Sequence, residues 1–167
     1  MNLKEEIIKK LGLVPLPEEG GFYFESFRSN IEVSLDLNGN GIKEIRKAST
    51  CIYYLITPED YSALHKVKSD ETFHFYMGDP VEMFQIDEYG ARKVLIGSDI
   101  LNGETPQVIV PAGMWQGTRL KEGGKFALMG TTVSPGFEFI DFELASREEM
   151  LKRFPDQEED ILKYTRG

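Results

Sequence analysis

Residues 65–78 read His65-Lys66-Val67-Lys68-Ser69-Asp70-Glu71-Thr72-Phe73-His74-Phe75-Tyr76-Met77-Gly78, and both histidines of the chain fall in this window. A second window, Pro111-Ala112-Gly113-Met114-Trp115-Gln116, carries the only tryptophan. Side chains alternate faces along a strand, so Tyr61, Ala63, His65 and Val67 share one face. That face is apolar apart from the imidazole and the tyrosine hydroxyl, and the imidazole needs a partner. After the Ser69-Asp70 turn the next strand offers Glu71, Phe73 and Phe75 on one face and Thr72, His74 and Tyr76 on the other. If both apolar faces point into one interior, His65 and Glu71 meet there, and His74 lies on the opposite face unless a bulge shifts the register. A histidine beside a carboxylate is an acid–base arrangement, because the carboxylate fixes the tautomer and raises the basicity of the imidazole. In an apolar interior the same pair can simply satisfy each other's hydrogen bonds. Parity also puts Gln116, Thr118 and Leu120 on one face and Trp115 and Arg119 on the other, so the indole and the amide do not both line the interior. Trp115, with Phe73, Phe75, Tyr53 and Tyr54 as candidate neighbours, is either an aromatic platform for a planar or sugar ligand or ordinary core.

The elements that must position these residues are mostly short strands. Asn2 and Glu5 form a capping-box pattern, Leu3, Ile7, Ile8 and Leu11 follow helical spacing, and Gly12 supplies a stop, which predicts a helix over 3–11. Thereafter β-branched and aromatic runs broken by Gly, Pro, Asn and Asp predict strands at 21–28, 31–36, 49–56, 61–67, 71–77, 81–87, 91–96, 106–110, 115–120, 125–132 and 137–143. Asn38-Gly39-Asn40-Gly41 marks a hairpin or loop. So many short strands at near-regular spacing imply a sandwich or barrel. The tail returns to helix, with capping boxes at Ser146/Glu149 and, after Pro155, at Asp156/Glu159. No repeat, low-complexity tract or linker divides the chain, which reads as a single domain over 1–167.

Composition narrows the function classes. A chain of 167 residues with 41% hydrophobic and 28% charged residues is ordinary for a globular domain with its own core. The formal charge of −9 disfavours nucleic acid, since phosphate neutralisation needs clustered Lys and Arg. Residues 141–160 hold eight acidic and three basic side chains, the pattern of a solvated helical face. No apolar run is long enough to span a bilayer and the N-terminus lacks the apolar core of a leader, so the expectation is a cytoplasmic protein that engages no membrane. Cys51 is alone in an apolar run and reads as a buried, inert thiol. The glycines at 20–21, 78, 113 and 123–124 open no helix in the manner of a phosphate loop and read as turn residues. Arg28, Arg46, Arg119 and Lys66 read as scattered surface charge.

The order His65, Val67, Glu71, Gly78, followed by Pro111, Gly113 and Gln116, resembles the two consecutive motifs of the cupin superfamily. The strings Lys68-Ser69-Asp70-Glu71, His74-Phe75-Tyr76, Gly78-Asp79-Pro80, Pro106 to Gln116 and Ser134-Pro135-Gly136-Phe137-Glu138-Phe139 resemble a narrower group, the DUF985 or cupin-5 family, from Leu11 to Arg166. The resemblance implies a mainly β fold, a cupin jelly-roll β-barrel with a short N-terminal helix and C-terminal helices, a homodimer, and a likeness to sugar-nucleotide epimerases. In metal-binding cupins the first motif supplies two histidines and a glutamate and the second supplies one more histidine. Here His65 and Glu71 keep that identity, while Val67 and Gln116 stand where histidines would be. A divalent transition metal held by His65, Glu71 and Gln116 is therefore expected to bind weakly or not at all, and no cofactor is expected. The leading functional expectation is an isomerase or epimerase acting on a sugar-like or other small polar substrate. In it His65 and Glu71 are the acid–base pair, Gln116 binds a substrate oxygen, and Phe73, Phe75, Tyr61 and Thr118 line the pocket. The alternatives are a non-catalytic sensor or carrier and a weakly metal-dependent enzyme.

Overall fold

The computed structural model describes residues 2–167. Helix α1 (Leu3–Leu11) starts at Asn2, whose side chain accepts the Glu5 N–H while the Glu5 carboxylate accepts the N–H of Asn2. Gly12 ends it in the left-handed conformation, as the sequence predicts.

The strands that follow are β1 (Val14–Pro15), β2 (Phe22–Arg28), β3 (Glu32–Leu35), β4 (Glu44–Lys47), β5 (Thr50–Ile56), β6 (Ser62–Val67), β7 (Asp70–Gly78), β8 (Val81–Asp87), β9 (Gly90–Ile96), β10 (Gln107–Val110), β11 (Trp115–Leu120), β12 (Ala127–Ser134) and β13 (Phe142–Leu144). The tail forms α2 (Arg147–Arg153) and α3 (Glu158–Tyr164). The mainly β class expected from sequence is what the chain adopts.

Three expectations need correction. β1 and β4 are additional strands; β4 is hidden in sequence because Glu44, Arg46 and Lys47 break its apolar alternation, and it forms by pairing with β3 across the Asn38–Gly41 turn. The stretch expected as a strand over 137–143 holds a 3₁₀ turn at Phe139–Asp141 before β13. The Asp156/Glu159 box does not form: Pro155–Gln157 is a 3₁₀ turn, and α3 starts after Gln157 without a side-chain cap. Ser146 does cap α2, accepting the Glu149 N–H at 3.4 Å.

Besides the two-stranded β3-β4 sheet, two larger antiparallel sheets are formed, of order β1-β2-β5-β12-β7-β10 and β13-β6-β11-β8-β9. They face each other, because the core draws Tyr54, Ile56, Phe73 and Met129 from the first and Val81, Met83 and Ile96 from the second. The outer side of the second sheet, with Leu64, Phe84, Ile86 and Trp115, is buried under Met150, Ile161 and Tyr164 of the C-terminal helices. Trp115 is therefore core, with Lys66 Nζ 4.4 Å from its ring centroid, and not a platform in the interior. α1 covers part of the other sheet's outer side through Ile7, Ile8 and Leu11.

Arg46, expected on the surface, is buried. Its Nε and Nη2 donate to Asp141 at 2.6 and 2.7 Å, fastening the β3–β4 hairpin to the turn before β13. No helix among the described residues is long and apolar enough to cross a membrane.

Candidate functional site

A cavity of about 660 Å³ takes His65 and Val67 from β6, Glu71 and Phe73 from β7, Tyr54 from β5 and Thr131 from β12. The inward parity of β6 and β7 thus brings His65 and Glu71 to one interior.

His65 is almost fully buried and held at both ring nitrogens. Nδ1 lies 2.7 Å from the Ala63 carbonyl oxygen, which can only accept, so Nδ1 carries the proton. Nε2 then presents a lone pair, and the side-chain amide nitrogen of Gln116 donates to it at 2.8 Å. The second proton of that amide goes to Glu71 Oε2 at 3.2 Å. Gln116 is placed to do this by direct pairing with His65 across β6 and β11. The ring also stacks on Phe142, with centroids 5.1 Å apart.

The Glu71 carboxyl is pushed up to about 7, chiefly because burial disfavours the charged form. His65 pulls the other way, the Glu19 charge pushes it further up, and hydrogen bonds from Thr131 and Gln116 oppose the rise. Both protonation states of Glu71 are therefore populated near neutrality.

Sequence reasoning misses Glu19. Its Oε1 accepts from Ser62 Oγ at 2.8 Å, and its Oε2 stands 3.8 Å from His65 Nε2. The signal is the string Glu18-Glu19-Gly20-Gly21, read from sequence only as a turn. A Cβ at Gly20 would lie 2.4 Å from the Tyr61 carbonyl oxygen and one at Gly21 2.8 Å from the Tyr54 hydroxyl, so only glycines let this loop lie close enough to deliver Glu19. Phe137 and Phe139 from the segment before β13, Phe142 at the start of β13 and Arg28 at the end of β2 also line the cavity and were not foreseen there.

Several expected pocket residues lie elsewhere. Tyr61 lines a small surface pocket with Arg119, its ring 3.7 Å from the Arg119 guanidinium. The cause is a register irregularity: Gln116 pairs with His65 but Thr118 pairs with Ser62, so parity shifts along β6 and Ser62 reaches Glu19 instead. Phe73 lines the cavity, whereas Phe75 packs against the main core and does not. Thr118 is fully buried outside the cavity lining, its hydroxyl unpaired. Gln116 sits behind His65 and Glu71, with its amide protons committed to them and its carbonyl oxygen buried and unpaired. It positions the pair rather than meeting a substrate oxygen. Nor does Glu71 orient His65 directly; the Ala63 carbonyl and the Gln116 amide do. His74 is on the opposite face, its Nε2 3.1 Å from Thr132 Oγ1, and Cys51 is half-buried there with Sγ 3.5 Å from the same hydroxyl.

The donor set does not fit a cupin metal centre. Val67 offers no donor, the Gln116 nitrogen faces His65 and Glu71, and the one free imidazole lone pair accepts that amide proton. Among the described residues no group of three His, Cys, Asp or Glu side chains converges on one point.

The arrangement of two facing sheets around this cavity is that of the cupin fold. Bacillus subtilis oxalate decarboxylase superposes with a TM-score of 0.53 at 17% identity over 91% of this chain and 37% of that one, a likeness of fold alone. More specifically, the profile described as "Cupin superfamily (DUF985)" matches residues 5–145, and the chain belongs to this family. A hypothetical protein from Leishmania major is 36% identical over 99% of this chain and 100% of its own, with a TM-score of 0.89. The Saccharomyces cerevisiae protein YML079W, described as uncharacterized, is 32% identical over 143 residues, 80% of this chain and 71% of its own. The family profile itself ends before the C-terminal helices, whereas the similarity to the Leishmania major protein takes in 99% of the chain.

Proposed function

We propose that the cavity binds a small polar molecule and carries out proton transfer on it, as an isomerase or epimerase does, with His65 and Glu71 as the acid–base pair. The observation that carries this reading is Glu71: a carboxyl in the cavity wall, in the same small network as the His65 imidazole, poised to hold or release a proton near pH 7. Gln116 is a positioning residue, since its amide fixes the spacing of the two groups. No metal takes part in this proposal. The test is exchange. When the protein is incubated in D₂O with a cell extract, one metabolite should gain deuterium at a carbon position, and His65→Ala and Glu71→Gln should each abolish the gain.

The second reading, a non-catalytic sensor or carrier, is favoured by one observation: Gln116 already satisfies both His65 Nε2 and Glu71. Retention of a ligand by native mass spectrometry without any deuterium gain decides for it.

We further infer that two copies pair through the outer face of the larger sheet, where Phe24, Phe27, Tyr76 and Ile109 are exposed. A cytoplasmic location suits the free thiol of Cys51.

A further inference from the structure

The charge balance of the cavity wall is one-sided. Glu18, Glu19, Glu25, Glu71 and Glu138 line it, and Arg28 and His65 are the only basic side chains among its lining residues. The Arg28 guanidinium is already committed: Nε and Nη2 donate to the two oxygens of Glu25 at 2.8 Å each, Nη1 to Glu138 at 2.8 Å, and Nη2 to the Phe137 carbonyl at 3.2 Å. His65 spends its one proton on Ala63. An entering anion would therefore meet no uncommitted donor of positive charge, while Glu18 and Glu19 stay unneutralised by any cation in the wall.

The rest of the wall is aromatic and aliphatic, and six of its side chains, Tyr23, Tyr54, Phe73, Phe137, Phe139 and Phe142, bring rings to the same space. Ring faces carry negative electrostatic potential and attract ammonium groups. Glu19 is built in rather than free to swing away: its backbone oxygen accepts from the Ala63 N–H at 2.8 Å and the Arg166 guanidinium at 3.2 Å, while Ser62 holds Oε1. That leaves Oε2 facing His65 at 3.8 Å, a separation an N–H donor of a ligand can approach from the cavity side. Glu18 beside it has φ of +66°, a conformation non-glycine residues rarely adopt, and it lines the same space.

We infer that the ligand of this cavity is a small organic cation, a protonated amine or quaternary ammonium on a body the aromatic wall can stack against, with Glu19 as its anionic anchor. This rests on the reading of the cavity as a small-molecule site and names its ligand class. Anionic ligands such as carboxylates and phosphate esters are excluded by the same wall.

The test uses three probes of one shape and different charge, 2-phenylethylamine, 2-phenylethanol and phenylacetate, titrated calorimetrically into the intact protein at neutral pH and low salt. The amine should bind at least about tenfold more tightly than the alcohol, the worth of one charge-assisted hydrogen bond, and the acid more weakly than the alcohol. Glu19→Gln keeps the size of the side chain and should bring the amine to within about threefold of the alcohol while leaving the alcohol unchanged. Phenylacetate binding as tightly as the alcohol, or an amine preference that survives Glu19→Gln, overturns the inference but leaves the cavity a binding site. The charge order on the unmodified chain decides this even if the variant does not fold. Silence from all three probes overturns the small-molecule reading itself, and the inference with it.

Discussion

The side-chain amide nitrogen of Gln116 stands 2.8 Å from Nε2 of His65, on directly paired residues of β11 and β6, and gives its other proton to Glu71. One amide thus serves two buried groups at once. Gln116→Leu takes a donor from both and leaves His65 Nε2 without one, and an unmet buried acceptor costs roughly 1–3 kcal/mol. Urea unfolding should show a loss in that range. A loss under about 0.5 kcal/mol would mean that the amide does not hold the pair.

Glu71 predicts a pH dependence of stability. Its carboxyl is raised from an ordinary 4.5 to about 7 in the folded protein, so below pH 4.5 it is protonated in both states and costs nothing. As pH rises from 4.5 to 7 the unfolded chain ionises while the folded one stays protonated, and stability falls; above 7 the loss levels off at roughly 3 kcal/mol. Glu71→Gln should therefore stabilise the protein at pH 8 and not at pH 4. Equal effects at both pH values would show that the shift is not there.

Ligand chemistry predicts how the site treats metals. After dialysis against chelator the protein should hold well under one equivalent of any first-row ion, and low micromolar additions should leave the melting temperature almost unmoved, because stabilisation grows only with the logarithm of concentration over Kd. Replacing Val67 and Gln116 together by His should create a site that retains metal through the same dialysis. Stoichiometric metal in the unmodified chain overturns the reading of the Gln116 amide as a group turned to His65 and Glu71.

Arg46 and Asp141 form a buried pair with two hydrogen bonds. Removing Arg46 leaves the buried Asp141 carboxylate with only Lys68 Nζ 3.9 Å away, so Arg46→Met should cost roughly 3 kcal/mol, the low end for a broken buried pair. Because the pair fastens the turn carrying Phe139, Arg46→Lys, which cannot reproduce the two-pronged contact, should recover only part of the loss in thermal unfolding.

Pairing through the larger sheet predicts that Phe27→Glu together with Tyr76→Glu yields a single-chain mass in light scattering, where the unmodified protein gives a two-chain mass. The two rings lie on the same outer face, with Phe27 pairing Cys51 and Tyr76 packed 6.2 Å from Tyr53, so introduced carboxylates would repel across a two-fold contact. A two-chain mass in the variant places the contact elsewhere.

What the sequence determines by itself follows from local periodicity. The two-residue period of β6 and β7 is enough to turn His65 and Glu71 inward and His74 outward, and the Asn2/Glu5 and Gly12 signals are enough to bound α1, because these effects depend only on neighbours within a few residues. What the tertiary structure decides are the places where pairing overrides period. The irregular register between β6 and β11 sends Tyr61 out and Ser62 in. Ion pairing with Asp141, 95 residues away, buries Arg46 in a strand whose composition conceals it. Glu19 reaches the site because its loop crosses β6, and Gln116 becomes a link between His65 and Glu71 rather than a hand for substrate because three strands converge on it. Contacts between residues so far apart in the chain have no local signature, so they exist only once the sheets have closed over the core.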